Sequence, residues 1–76
     1  MDANTIKHMI ESGLPGAKVA IYSEDNHHFE AFIIHTGFNG KTLLERHRMV
    51  YETLGNSFQS NLHALALHTK TPEEEG

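Results

Sequence analysis

Residues 28–35 read HFEAFIIH. In an extended chain Phe29, Ala31 and Ile33 share one face, while His28, Glu30, Phe32 and Ile34 share the other. Aromatic and β-branched side chains at period two predict a sheet strand. Just upstream, AKVAIYS at 17–23 alternates in the same way, with Val19 and Ile21 on one face. The short polar break Glu24-Asp25-Asn26-His27 separates the two runs. Two such runs around a brief break predict an antiparallel hairpin.

Outward from the hairpin, the pattern changes to helical. Ile6, Met9, Ile10 and Leu14 recur at helical spacing behind a capping Asp2 or Asn4. Ser12-Gly13 and then Leu14-Pro15-Gly16 stop that run, which predicts a helix over roughly 3–12. On the other side, Gly37-Phe38-Asn39-Gly40 signals a loop, and KTLLERHRMVYETLG at 41–55 predicts a second helix. Its expected core stripe is Leu43, His47, Val50 and Leu54, closed by Gly55. LHALALHT at 62–69 alternates again, with His63, Leu65 and Leu67 against Leu62, Ala64 and Ala66, and predicts a third strand. Thr71-Pro72-Glu73-Glu74 reads as the start of a short or frayed helix, with a threonine cap and acids at the positive end of the dipole. The order predicts one α+β domain over 1–76, with helices on one face of a three-stranded sheet.

Composition narrows the function classes. A chain of 76 residues buries only about 60% of the surface its unfolded form exposes, which leaves little for a deep catalytic pocket. With no cysteine it has neither disulfides nor a thiolate of its own. No apolar run approaches the roughly 20 residues that span a bilayer, and the N-terminus lacks a secretory pattern. The expectation is a soluble cytoplasmic protein without a membrane partner. The formal charge of −4 has the wrong sign for a dedicated nucleic-acid binder. Lys41, Arg46 and Arg48 nonetheless lie close together and offer a local basic face.

Histidine is over-represented, at positions 8, 27, 28, 35, 47, 63 and 68. It is the commonest protein metal ligand and titrates near neutral pH. A structural zinc site takes four ligands, usually in two closely spaced pairs. Neighbouring strand residues such as His27 and His28 point to opposite faces, and His63 and His68 also differ in parity. A self-contained zinc site is therefore disfavoured, while a pairing between a hairpin histidine and one from the third strand stays open. Ser23, Ser57 and Ser60 lack the context of an activated nucleophile. The G-x-x-G of Gly37 to Gly40 matches the loop with which KH domains clamp nucleic acid. The match has two wildcards, is more often just a turn, and here follows a strand rather than a helix.

FNGKTLLERHRMVYETLG at 38–55 and LHALALHTKTPEE at 62–74 together resemble the BolA family. The matching positions are Phe38 and Gly40, Arg46-His47 (or His47-Arg48), Val50-Tyr51, His63-Ala64-Leu65 and Thr69-Lys70-Thr71-Pro72, with His28-Phe29 opening the second strand. The family's terminal tryptophan is absent, the chain ending Glu74-Glu75-Gly76. The resemblance implies a type II KH-like fold with a mixed three-stranded sheet. It implies a non-enzymatic adaptor in iron–sulfur trafficking and iron homeostasis that shares a [2Fe–2S] cluster with a monothiol glutaredoxin, glutathione arriving through that partner. His63 is the implied ligand, joined by His28, with His27 as the fallback. The alternative implied by the family is a DNA-binding transcriptional regulator of cell shape and stress response, contacting duplex DNA through Lys41, Arg46 and Arg48. The free chain is expected as a monomer or weak homodimer.

Overall fold

A computed structural model describes residues 2–55 and 64–76. Helix α1 spans Ala3–Gly13, strand β1 Lys18–Tyr22, strand β2 Phe29–Ile34, helix α2 Leu43–Leu54, strand β3 Leu65–Lys70 and helix α3 Pro72–Glu75. A single 3-10 turn, Thr36–Phe38, separates β2 from α2. The strands form one sheet in the order β1-β2-β3. β1 pairs with β2 antiparallel, as the hairpin reading requires, with Val19 opposite Ile33 and Ile21 opposite Ala31. β2 pairs with β3 in parallel, Phe29 opposite Leu65 and Ile34 opposite Lys70. The sheet is therefore mixed, and α2 lies in the crossover between its parallel strands, as such a connection requires.

Alternation decides which face is covered. Val19, Phe29, Ala31, Ile33 and Leu65 join Ile6 and Ile10 of α1, Leu14 at its C-cap, and Val50 and Leu54 of α2 in one buried core. Lys18, Tyr22, Glu30, Phe32, Ala66, His68 and Lys70 stand exposed on the opposite face. Each helix is fixed at its start. The Thr5 N–H donates to Asp2 Oδ1 at 2.9 Å, and Thr42 and Glu45 complete a reciprocal capping box on α2. Caps of this kind contribute about 1 kcal/mol.

The first turn of α2 departs from the expected stripe. Val50 and Leu54 are buried as read, but Leu43 is 63% exposed. Phe38, in the turn ahead of the helix, is fully buried and occupies the core at that end. Both glycines of the G-x-x-G have a structural reason. A methyl at Gly37 would sit 2.6 Å from His35 Nε2, and Gly40 adopts a φ of +74° that favours glycine.

The short C-terminal helix is bolted to α2. Arg46 donates through Nη1 and Nη2 to Glu74 Oε1 and Oε2 at 2.7 and 3.1 Å. It also reaches the carbonyl oxygens of Lys41 and Thr69. Tyr51 Oη donates to the Leu65 carbonyl at 3.2 Å. Two side chains of α2 thus occupy carbonyls of β3, an edge strand, which limits its ability to recruit a further strand. The Arg46 guanidinium and the Thr71 N–H hold the Glu74 carboxyl at about 2, below its ordinary 4.5. A depressed carboxyl contributes stability above its ordinary value and loses it as pH falls through the depressed one. Thermal unfolding of the wild type should therefore weaken between pH 4.5 and 2 more steeply than that of Glu74→Gln. Parallel pH profiles for the two proteins would remove this assignment.

Candidate functional site

The loop before β2 is built around one carboxylate. Asp25 Oδ1 accepts the backbone N–H groups of His27 and His28, each at 2.9 Å. Ser23 Oγ accepts the Asn26 N–H at 2.9 Å and donates to the His28 carbonyl at 2.7 Å. Asn26 takes a φ of +62° to close the turn, a conformation asparagine tolerates better than most residues. Aspartate and serine offer the chain a local alternative to the sheet ladder, and the strand starts only at Phe29. His28, expected as the first residue of the strand, instead ends this loop.

The other carboxylate oxygen orients the His28 ring. Asp25 Oδ2 lies 3.0 Å from His28 Nδ1. The ring and backbone N–H groups of His28, with that of His27, hold the Asp25 carboxyl far below its usual range. An ionised carboxylate can only accept, so Nδ1 carries the proton, and in the neutral form of the ring the lone pair is on Nε2. The His28 side chain is 73% exposed, which leaves that lone pair open to solvent. This is the carboxylate–histidine arrangement that fixes tautomer and ring direction at metal sites. The His27 ring has no hydrogen-bond partner among the described residues.

The remaining predicted site residues are scattered. His63 lies outside the described residues. Arg46 has a side chain only 12% exposed and is committed to Glu74. Lys41 and Arg48 are exposed, and both help lower the Glu45 carboxyl, though less than its Thr42 hydrogen bonds do. Among the described residues, no three histidine or carboxylate groups converge on a common point. His47 and His35 are partly buried, with His47 Nε2 and His35 Nδ1 lacking partners among those residues. Burial lowers the His47 pKa, with His68 adding to the effect. His68 is not the plain strand-end residue its position suggests: it stacks on Phe32 and lies 3.0 Å from Glu30.

Two features of this geometry escaped sequence reasoning. Asp25 read as one charge in a polar break, although an aspartate three residues ahead of a histidine in a turn was a usable signal. The Phe32–His68 stack depends on parallel register between distant strands, which no local pattern encodes. Topology also relates the implied ligand segments. Because β2 and β3 are parallel and Phe29 faces Leu65, both strands are entered from the same end of the sheet.

Comparison with known proteins bears on this arrangement. A structure of a bolA protein homologue from Coxiella burnetii matches with a TM-score of 0.83 and 43% identity, covering 99% of this chain and 96% of that one. The chain is 45% identical over 47 residues to the DNA-binding transcriptional regulator BolA of Escherichia coli, covering 62% of this chain and 45% of the relative. It is 42% identical over 52 residues to the chloroplastic protein BOLA1 of Arabidopsis thaliana, covering 68% of this chain and 32% of the relative. These matches thus span less than half the length of either curated relative. Among the described residues no helix is long and apolar enough to cross a membrane. With residues 5–74 matching the BolA-like protein family, and the mixed sheet and its helices aligned with a solved homologue, the chain belongs to that family.

Proposed function

We propose that this chain is a non-enzymatic adaptor in iron–sulfur cluster trafficking, acting in the cytoplasm and sharing a [2Fe–2S] cluster with a monothiol glutaredoxin through His63 and His28. The observation that supports it is the Asp25-held imidazole of His28, at the end of the sheet from which β3 also starts. Two histidines can replace two thiolates on one iron of such a cluster. A chain without cysteine needs the other ligands from outside, and a partner cysteine and a bound glutathione have the required chemistry. His28 is preferred to His27 because a carboxylate orients its ring. Mixed ligation of this kind suits a cluster that is passed on rather than kept.

The test mixes this protein with a cluster-loaded monothiol glutaredoxin and records visible absorption and circular dichroism. The wild type should change the spectrum and His63→Ala should not. No change with the wild type rejects the adaptor; a wild-type spectrum from His63→Ala rejects the ligand.

Similarity to the DNA-binding transcriptional regulator BolA of Escherichia coli favours a second reading, duplex DNA binding. Here it rests on Lys41 and Arg48, since Arg46 is held by Glu74. Phosphate contacts make affinity fall steeply with salt. Binding should appear at low salt, weaken at moderate salt and weaken further in Arg48→Glu. An absence of binding at low salt removes the reading.

A further inference from the structure

The uncovered face of the sheet carries three rows set by the register: Lys18–Ile34–Lys70, Ala20–Phe32–His68 and Tyr22–Glu30–Ala66. In the middle row the Phe32 and His68 rings lie 4.4 Å apart and within 8° of parallel. That separation is close to the spacing of neighbouring strands, about 4.8 Å. The two rings therefore stand upright on their strands, side by side. One face of Phe32 is covered by His68, and the other looks toward β1. The residue opposite there is Ala20, whose methyl group leaves the space beside the ring unfilled. Tyr22 closes one side, its ring 5.7 Å from Phe32 and nearly perpendicular.

A groove of about 400 Å³ runs over this space, with Ala20, Phe32 and Ile34 as its apolar lining and Lys18 and Lys70 at one end. That volume falls in the range of small-molecule sites. Lys18 is two residues from Ala20 on the same strand, so its Cα is about 6.8 Å from the slot. Lys70 is loosely paired with Glu75 at 4.0 Å, whereas Lys18 has no ion-pair partner among the described residues. One vacant ring position with an unpaired cation one row away defines a ligand of narrow chemistry.

We propose that this face binds a planar aromatic anion. Its ring would lie over Ala20 as the third leaf of the stack begun by His68 and Phe32, and its anionic group would sit at Lys18. A flat ring continues the stack in the offset arrangement aromatic pairs prefer. The carboxylate or phosphate gains a lysine over an apolar floor. Two sources share this chemistry, an aromatic carboxylate and a mononucleotide. Glu75, at the rim beside Lys70, opposes an anion and sets an upper limit on affinity that its removal should raise. The site uses none of the residues assigned to cluster sharing, so the two readings stand or fall separately.

The test is a titration of the full chain, followed by backbone amide NMR, with 2-naphthoate, neutral 2-naphthalenemethanol, adenosine monophosphate and adenosine. Naphthoate should shift the amides of Lys18, Ala20, Phe32 and Ile34, and the neutral alcohol should bind about tenfold more weakly. Lys18→Gln should weaken naphthoate and leave the alcohol unchanged. Ala20→Leu, which fills the slot from an exposed face, should abolish both, and Glu75→Gln should strengthen the anion. Adenosine monophosphate binding as tightly as naphthoate identifies the nucleotide as the source. Binding of naphthoate alone identifies the carboxylate. Absence of shifts at millimolar concentration, or shifts indifferent to both Ala20→Leu and Lys18→Gln, overturns the proposal.

Discussion

Replacing Phe38 by alanine should destabilise the domain by about 3–5 kcal/mol, the range for emptying a fully buried aromatic site. The ring is fully buried although it comes from a turn rather than a helix or strand. It is held there by backbone bonds from Phe38 N–H to the His35 carbonyl and from Lys41 N–H to the Phe38 carbonyl. The His35 ring meets it edge-on at 5.3 Å, and the Arg46 guanidinium lies 5.8 Å from its centroid. A chain of this length has a stability on the order of 4–11 kcal/mol, so the loss takes a large share of the total. Leu43→Ala gives the contrast. That side chain is largely exposed, and alanine is the better helix former, so its unfolding free energy in urea should stay within the scatter of surface substitutions, about 0.5 kcal/mol, with the midpoint almost unmoved. Equal midpoint shifts for the two variants would show that the core at this end is not organised around Phe38.

The same pair of residues shows what the sequence could and could not reveal. Helical spacing put Leu43 on one line with Val50 and Leu54, and the geometry of the line is correct. Periodicity does not say how far along a helix the core extends, and here Phe38 takes the place that Leu43 would have filled. The hairpin and the inward faces of Val19, Phe29, Ala31 and Ile33 were legible because alternation is set by neighbouring residues. The parallel pairing of β2 with β3 was not legible in the residues. It depends on the path of α2 between them, and only the family resemblance supplied a mixed sheet. For the site, the resemblance picked out His28, but the carboxylate that orients it was hidden in a run of polar residues. Charge misled at Arg46: a cation near two others in sequence read as a surface group, while Glu74, 28 residues away, holds it against α3.

Asp25→Asn should lower cluster retention in the complex with glutaredoxin by about 10–100-fold, the usual cost of removing a partner that orients a metal-binding histidine. This expectation rests on the proposed ligand role of His28. The asparagine keeps an oxygen where Asp25 Oδ1 accepts the two backbone N–H groups, so the loop should hold its shape. At the other position an amide donor replaces the acceptor that faces His28 Nδ1. A donor there favours the tautomer with Nδ1 bare and the proton on Nε2, which removes the lone pair from the outward nitrogen. The parallel is the aspartate-to-asparagine change in a catalytic triad, where geometry survives and the wrong nitrogen is protonated. Nitrogen-15 chemical shifts of the His28 ring read the tautomer directly in the free protein, without any cluster. The expected result is a reversed tautomer, weakened cluster retention and a retained fold with part of the depressed carboxylate's stability lost, while His28→Ala matches the retention loss. A reversed tautomer with full retention would acquit His28 and move the second ligand elsewhere. An unreversed tautomer would mean that Asp25 shapes the loop but does not govern the ring.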